Sequence, residues 1–211
     1  AESTPEGRKL DFKRELPGRK DKDKKEYAQD VSAFANGAGG VIAYPTEAVF
    51  GLGCDPRSAT AVARVLRIKT RPMHKGLILI AAGQDQLEPF IQPLSAHWQR
   101  QLDASWPGPV TWVLPARPTV PAWLTGRRRT LAVRVTNHAL TRALCTAFGG
   151  AIVSTSANRT GSTSARTAHE ARFRLGARID RVVFGATGGR RLPSEIRDIR
   201  SGATLRGSDP E

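Results

Sequence analysis

The sequence has few cysteines and no long apolar run. The two cysteines among its 211 residues, Cys54 and Cys145, form neither a disulfide framework nor a metal-binding cluster. We therefore expect buried thiols in a reducing compartment. The longest apolar run, around residues 77–82, is far below the ~18 residues of a membrane span. The charged N-terminus lacks the apolar stretch of a secretory signal. These absences exclude the disulfide-stapled and membrane-spanning classes and predict a cytoplasmic protein with no membrane partner.

Acidic side chains are scarce relative to basic ones. The chain has 19 Asp and Glu against 33 Lys and Arg, a net charge of +14. Residues 1–40 hold nine basic and eight acidic side chains, so nearly all of that charge lies in residues 41–211. Such a field attracts polyanions, including nucleotides, RNA and DNA.

Apolar periodicity predicts strands that alternate with helices, which is typical of an α/β domain. Short connections rich in Gly and Pro favour a mixed rather than a purely parallel sheet. The predicted strands are residues 41–44, 76–82, 110–114, 130–135, 151–154 and 181–184, with extended pieces near 195–199 and 204–206. The predicted helices are residues 23–36, 59–69, 95–102, 139–148 and 168–175.

Several familiar motifs are incomplete. The segment Gly51-Leu-Gly53 begins like a dinucleotide fingerprint but lacks its third glycine, and no P-loop sequence is present. The four histidines are scattered, so no metal site is expected. The serines of residues 154–156 have no evident His–Asp partners, which makes serine-hydrolase chemistry a poor fit. The arginines of residues 127–129 form either a solvated loop or a patch that faces RNA.

Three clusters of side chains, and Arg134 besides, are harder to explain by packing alone. Lys69 and Arg71 end a predicted helix, where they either complement its dipole or hold a polyphosphate. Small polar side chains at residues 154–158 follow an apolar strand and form either a ligand site or a turn. The third cluster, residues 193–198 beside 188–190, is a weak signal on its own. Arg134 lies inside the apolar strand 131–135, which is costly unless it is paired with a carboxylate or binds an anion.

Taken in order, these segments and others resemble the TsaC/YrdC family of threonylcarbamoyl-AMP synthases over roughly residues 41–207. The matching segments are IAYPTEAVFGLGCDP at 42–56, K-x-R-P at 69–72, KGLILIA at 75–81, WPGPVT at 106–111, LAVRVT at 131–136, STSAN at 154–158, TGGR at 187–190, PSEIRD at 193–198 and LRG at 205–207. The resemblance implies a single-domain twisted mixed sheet, flanked by helices, around a large basic cavity.

The resemblance also implies a nucleotidyltransferase that converts L-threonine, bicarbonate and ATP into threonylcarbamoyl-AMP and pyrophosphate. That product feeds the threonylcarbamoyl modification of adenosine 37 in tRNA, with TsaD, TsaB and TsaE acting downstream. Mg²⁺ is expected to arrive with ATP, without dedicated protein ligands. The alternative function is a module that binds tRNA or double-stranded RNA without catalysis.

The site residues follow from this chemistry, in which three anions share one cavity and fixed cations and donors stabilise them. Arg134 is expected to hold the threonine carboxylate and Thr46 to contact threonine. The expected catalytic residues are Lys69 and Arg71, on the phosphates, and Ser156 and Asn158, on nucleotide or carbamate. These four are also expected to bind the nucleotide, with Ser194 and Arg206 on the nucleotide side.

Residues 1–40 differ in character from the rest of the chain, as an N-terminal arm followed by a helix. About residues 6–40 resemble the opening of a Schlafen/AlbA-type DNA-binding domain, although 40 residues are too few for that whole domain. Either two unrelated segments are fused near residue 40, or an ordinary helix–Gly–strand opening happens to resemble that domain. The predicted domains are therefore residues 1–40 and a YrdC-like catalytic domain at 41–211.

Overall fold

The computed structural model of the chain describes residues 39–206. The predicted N-terminal arm and its helix over residues 23–36 lie outside the described residues. Within the described range, no helix is both long enough and apolar enough to cross a membrane.

The strands of residues 39–206 form one mixed β-sheet. Its strands are β1 (Ile42–Pro45), β2 (Phe50–Gly53), β3 (Ile78–Ala81), β4 (Val110–Pro115), β5 (Thr130–Val135), β6 (Ile152–Ser156), β7 (Arg181–Val182), β8 (Glu195–Asp198) and β9 (Thr204–Arg206). They lie in the order β7-β1-β2-β6-β3-β5-β4-β8-β9. The pairs β1–β7, β3–β5 and β4–β8 are parallel and the other pairs are antiparallel, which confirms the predicted mixed sheet.

The predicted helices within the described range are confirmed to within one residue. The helices are α1 (Ala59–Lys69), α2 (Ala96–Asp103), α3 (Ala122–Thr125), α4 (Ala139–Phe148) and α5 (Ala168–Leu175), with 3₁₀ turns at Met73–Lys75, Gln84–Leu87 and Gly176–Arg178. Side chains of Ser58, Ser95 and Thr167 accept hydrogen bonds from the first turns of α1, α2 and α5. Such caps satisfy amide groups that otherwise lack partners, which is why these helices begin where they do.

The two faces of the sheet are covered differently. Alternation along β5 sends Leu131, Val133 and Val135 into the main core, which also contains apolar residues of α1 and α2. Ala132 and Arg134 point to the opposite face. There, a smaller cluster that includes Tyr44 and residues of α4 covers part of the sheet. The uncovered part of this second face is where a ligand has room.

Strand β2 is absent from the sequence prediction because its four residues include two glycines, which pack weakly in strands. The buried Tyr44 of the neighbouring strand accounts for both. A Cβ atom on Gly51 would lie 3.0 Å from the Tyr44 ring, and one on Gly53 would lie 2.7 Å from it and 2.5 Å from the carbonyl oxygen of Val153. The Tyr44 hydroxyl donates a hydrogen bond to that same carbonyl at 3.1 Å. The glycines therefore make room for an aromatic ring.

Candidate active site

A cavity of about 730 Å³ opens over the face of the sheet that carries Ala132 and Arg134. All eight side chains that the sequence analysis assigned to substrates line it: Thr46, Lys69, Arg71, Arg134, Ser156, Asn158, Ser194 and Arg206. They come from the end of a helix, from strands and from loops spread along the chain, and the fold gathers them in one place. The role of each residue toward a particular substrate stays a prediction.

Positive charge dominates the lining of this cavity. Its cationic side chains are Lys69, Arg71, Lys75, Arg128, Arg134 and Arg206, and its carboxylates are Glu47 and Asp198. Within residues 39–206, only Arg134 among these cations forms an ion pair. Cations gathered without acidic partners favour binding of a polyanion.

The Lys69 side chain, at the end of α1, donates hydrogen bonds to the last residue of β6 and to the segment that follows it. This side chain is 3 % exposed. Its Nζ lies 2.5 Å from the carbonyl oxygen of Ser156, and 2.9 and 3.0 Å from the carbonyl oxygen and Oδ1 of Asn158. The carbonyl oxygen of Lys69 in turn accepts hydrogen bonds from the amide and hydroxyl of Thr160 at 3.0 and 2.8 Å. The ammonium group thus holds Ser156 and Asn158, the two residues predicted to bind nucleotide or carbamate, in fixed positions.

The charge of Lys69 predicts a pH dependence of nucleotide binding. Burial, and then the nearby charge of Arg71, lower the pKa of Lys69 to about 8. ATP phosphates are fully ionised above neutral pH, so the affinity for ATP should fall as pH rises through about 8 and the ammonium loses its proton. Calorimetric dissociation constants between pH 7 and 9.5 measure this, with the variant Lys75→Gln expected to keep the same profile. An affinity that stays constant across that interval would contradict the assignment.

Arg134 is paired with Glu47, a residue that the sequence analysis did not single out. The Nη2 atom of Arg134 lies 3.3 Å from Oε2 of Glu47, and both side chains are nearly buried. The other carboxylate oxygen, Oε1, accepts hydrogen bonds from the Thr136 hydroxyl at 2.5 Å and from the Asn137 amide at 3.3 Å. Burial acts to raise the pKa of Glu47, but the charge of Arg134 and the Thr136 bond lower it overall. Glu47 is therefore an ionised partner for Arg134.

The Arg134–Glu47 pair leaves donors unused. Arg134 is 6 % exposed, and its Nε is buried without a hydrogen-bond partner among the described residues. The two explanations of an arginine in an apolar strand, pairing with a carboxylate and binding an anion, are thus compatible. The structure shows the first, and the arginine also lines the cavity. Its contact with a threonine carboxylate stays a prediction.

Glu47 could have been found from the sequence. Arg134 within an apolar strand requires a buried partner, and Glu47 is the only acidic side chain inside the mostly apolar segment 41–53. Among residues 39–206 it is also the only buried carboxylate. The spacing between the two residues gives no sign of the contact, because β1 and β5 are separated by three other strands in the sheet.

The other predicted residues are held by backbone groups. The Thr46 hydroxyl donates to the carbonyl oxygen of Val49 at 2.7 Å, which leaves its oxygen free to accept a hydrogen bond. Arg206 donates through Nε and Nη2 to the carbonyl oxygen of Ser194, at 3.1 and 2.7 Å. The Ser194 hydroxyl lies 3.1 Å from that of Thr111. These contacts order the rim of the cavity around β8 and β9.

The carboxylates of the cavity are both engaged with protein groups. Glu47 faces Arg134, and Oδ1 of Asp198 accepts hydrogen bonds from the amides of Arg200 and Ser201 at 2.8 and 3.2 Å. Across residues 39–206, no three His, Cys, Asp or Glu side chains group in a way that could hold a metal ion.

The sequence is similar to proteins of one family. The model of the Sua5/YciO/YrdC family, described as telomere recombination, matches residues 35–207. A threonylcarbamoyl-AMP synthase of Halorhodospira halophila is 59 % identical over 168 residues, which are 80 % of this chain and 88 % of that protein. Another, of Nitrosococcus oceani, is 55 % identical over 168 residues, or 80 % of this chain and 91 % of that protein. The match begins at residue 35, slightly before the boundary predicted at residue 41.

Solved structures show the same fold. P. abyssi Sua5 complexed with L-threonine has a TM-score of 0.81 and 28 % identity, covering 88 % of this chain but 54 % of that one. E. coli YciO has a TM-score of 0.76 and 25 % identity, covering 89 % of this chain and 91 % of that one. This chain thus spans about half of the archaeal protein and nearly all of the bacterial one.

Proposed function

This chain belongs to the Sua5/YciO/YrdC family, and on that premise we propose that it is a threonylcarbamoyl-AMP synthase. The observation that carries the proposal is the single cavity in which the eight predicted substrate residues meet, with six cations against two carboxylates. The triphosphate of ATP, the carboxylate of L-threonine and a carbamate are all anions. A cavity with this charge suits all three together.

The reaction that we propose has two steps. The amine of L-threonine takes up carbon dioxide derived from bicarbonate, which forms a carbamate and releases water. A carbamate oxygen then attacks the α-phosphorus of ATP, and the bond to the β-phosphate breaks with release of pyrophosphate. The transfer of the adenylyl group makes the enzyme a nucleotidyltransferase. Neither step requires a covalent bond to the protein.

The side chains of this chain orient and stabilise the reacting anions. We assign the phosphates to Lys69 and Arg71, and the nucleotide or carbamate to Ser156 and Asn158, which Lys69 holds in place. Ser194 and Arg206 line the nucleotide side. We propose that Mg²⁺ reaches the site as part of the MgATP substrate. Catalysis then rests on fixed cations and donors that need little reorganisation when charge develops.

Pyrophosphate release tests the proposal. Release from ATP should require L-threonine and bicarbonate together, and it should fall to background when either is omitted. A tRNA- or RNA-binding module without catalysis would release no pyrophosphate under any of these conditions. Such a result would overturn the proposed function.

The amino-acid specificity of the site follows from Arg134 and Thr46. If Arg134 binds the carboxylate and Thr46 or a polar neighbour binds the hydroxyl, a substrate without that hydroxyl leaves polar groups unpaired. We expect L-threonine to be preferred over L-valine by about ten- to a hundredfold, because a buried polar group left unpaired costs about 1–3 kcal/mol. L-serine should lie between them. Calorimetry with the three amino acids measures this. Equal affinity for threonine and valine would contradict the assignment.

The variant Arg134→Lys separates binding from packing in that experiment. An ammonium group cannot reproduce the planar fork of a guanidinium, so threonine affinity should fall. If Arg134 served packing alone, the variant would change the melting temperature and leave the threonine affinity intact.

We further propose that threonylcarbamoyl-AMP passes to TsaD, acting with TsaB and TsaE, for modification of tRNA in the cytoplasm. Support for these partners comes from the family resemblance over residues 41–207. Direct binding of tRNA by this chain stays a prediction that rests on its net charge.

A further inference from the structure

Arg128 lines the cavity, although the sequence analysis interpreted its loop only as solvated or as a patch that faces RNA. It is the middle one of three exposed arginines, residues 127–129, in the loop between α3 and β5. Of these three, Arg128 alone lines the cavity. The three side chains have the same charge and similar exposure, so their placement distinguishes them.

The backbone of this loop is tightly constrained. Gly126 and Arg127 both have left-handed conformations, with φ of 65° and 67°. A Cβ atom on Gly126 would lie 2.3 Å from the carbonyl oxygen of His74 and 2.7 Å from the amide nitrogen of Gly76. Gly76 itself has a φ of 62°, and a Cβ there would lie 2.9 Å from the carbonyl oxygen of Leu124. Two glycines thus allow the 74–76 turn and the 124–126 segment to pack backbone against backbone.

Arg127 adopts its left-handed conformation without the freedom of glycine. Such a conformation costs free energy in a residue with a Cβ atom, and it persists where the surrounding structure requires it. Here it redirects the chain immediately before Arg128, whose side chain reaches the cavity while its two neighbours do not.

The same turn holds two further cations of the cavity. Arg71 donates through Nε to the carbonyl oxygen of Gly76 at 3.1 Å, and through Nη2 to that of Lys75 at 3.3 Å. Lys75 lies in the turn itself and also lines the cavity. Burial, and then the charge of Arg128, lower the pKa of Arg71, so the two guanidinium groups are close enough to repel each other. In the described part of the chain, none of the three has a carboxylate partner.

We propose that Arg128 is a polyphosphate-binding residue, which together with Arg71 and Lys75 holds the two terminal phosphates of ATP and then the pyrophosphate that leaves. Three cations without an acidic partner repel one another until an anion lies between them. Among the cations that line the cavity, Lys69 and Arg134 are buried, whereas Arg128 and Lys75 are exposed to solvent. A leaving group bound by the exposed pair has a direct path to solvent. The assignment to ATP rests on the proposed function, but pyrophosphate binding does not depend on turnover.

Binding of inorganic pyrophosphate tests this proposal, with the neighbouring arginines as matched controls. The variants Arg128→Ala, Arg127→Ala and Arg129→Ala each lose one positive charge from the same loop, so their effects on the long-range field are nearly equal. Calorimetry should give pyrophosphate binding about tenfold weaker in Arg128→Ala and less than about twofold weaker in either control. Comparable losses in all three variants would show a general field effect and overturn the proposal. So would a wild-type protein that does not bind pyrophosphate.

Steady-state kinetics supply a second readout. Arg128→Ala should raise the KM for ATP and the inhibition constant of pyrophosphate in parallel, and leave the KM for L-threonine unchanged. An equal rise in both KM values would indicate distortion of the whole cavity and count against the proposal. If Arg128→Ala has a lowered melting temperature, Arg128→Gln replaces it, since that side chain keeps most of the packing. A chain that binds pyrophosphate through Arg128 but releases none from ATP would uphold this proposal and refute the proposed function.

Discussion

Replacing Lys69 with methionine is expected to lower kcat/KM for ATP by about a thousandfold. Methionine keeps an unbranched chain of similar length but has neither charge nor donors. Its introduction would leave the carbonyl oxygens of Ser156 and Asn158 without the ammonium that now binds them at 2.5 and 2.9 Å. The loss therefore combines a missing cation with misplacement of two residues that are predicted to bind nucleotide or carbamate.

The lysine at position 75 offers a matched control. Lys75→Met removes the same charge from the same cavity, but Lys75 is exposed and its ammonium forms no hydrogen bond within the described residues. Its effect on kcat/KM for ATP should be at most about tenfold. Steady-state rates across ATP concentrations measure both variants, and equal effects would show that the bonds of Lys69 to residues 156–158 do not matter.

The stability of Lys69→Met should differ little from that of the wild type. Burying an ammonium group without a carboxylate partner is unfavourable, and the lowered pKa of Lys69 reports that cost. Removing the buried charge stabilises the folded state, and this gain offsets much of the stability that is lost with the hydrogen bonds. We therefore expect a melting temperature within about 3 °C of the wild-type value. A larger fall would assign the loss of activity to unfolding.

Replacing Glu47 with alanine is expected to lower the free energy of unfolding by about 3–5 kcal/mol. The substitution leaves the guanidinium of Arg134 buried without its partner, which lies 3.3 Å away in the wild type. It also removes the acceptor of the Thr136 hydroxyl bond at 2.5 Å. For a chain of this size the melting temperature should fall by about 10 °C. Urea denaturation gives the free energy directly.

Two further variants show whether the unpaired charge is the cause. The double variant Glu47→Ala/Arg134→Met removes both charges and should be more stable than Glu47→Ala alone. Glu195→Ala breaks the ion pair with Arg197, in which Nε of the arginine lies 2.7 Å from Oε1 of the glutamate. Arg197 is more exposed than Arg134. That surface pair should contribute less than about 1 kcal/mol. A Glu47→Ala effect no larger than that of Glu195→Ala would contradict the role of the buried pair.

The pH dependence of stability gives an independent check on Glu47. The fold lowers the pKa of this carboxyl group below its ordinary value. Its contribution is therefore present above the ordinary pKa and is lost as pH falls through the folded value. The stability difference between wild type and Glu47→Gln should accordingly shrink under acidic conditions.

Local patterns predicted the elements whose determinants lie close together in sequence. The alternation of apolar residues along 131–135 defines β5, and the apolar face of residues 59–69, preceded by the capping Ser58, defines α1. The strand β2 was missed because two of its four residues are glycines. Their role, making room for the ring of Tyr44 on the neighbouring strand, shows only when the two strands are paired. The helix α3 is a single turn, too short to show periodicity.

The candidate site likewise contains some residues that the local sequence identifies and others that it does not. Arg134 could be identified from its own strand, because a charge among apolar side chains needs an explanation wherever the strand lies. Its partner Glu47 belongs to a distant segment, where only its isolation among the apolar residues 41–53 marks it as a candidate. Arg128 looked identical to its neighbours in sequence, and it is distinguished by its place in the cavity lining, after the left-handed backbone at Arg127. Thr46 became a candidate through the family resemblance alone.

The unequal covering of the two sheet faces has a consequence for how such an enzyme evolves. Ile78, Val113 and Ala132 are half-buried and line the cavity, while their neighbours along the same strands fill the core behind the sheet. A change in size at one of these three positions alters the room for a substrate without opening a void among Leu79, Leu114 and Val133. Selection can therefore adjust the accepted amino acid through these positions at little cost in folding, and a library randomised there would sample new substrates on an intact scaffold.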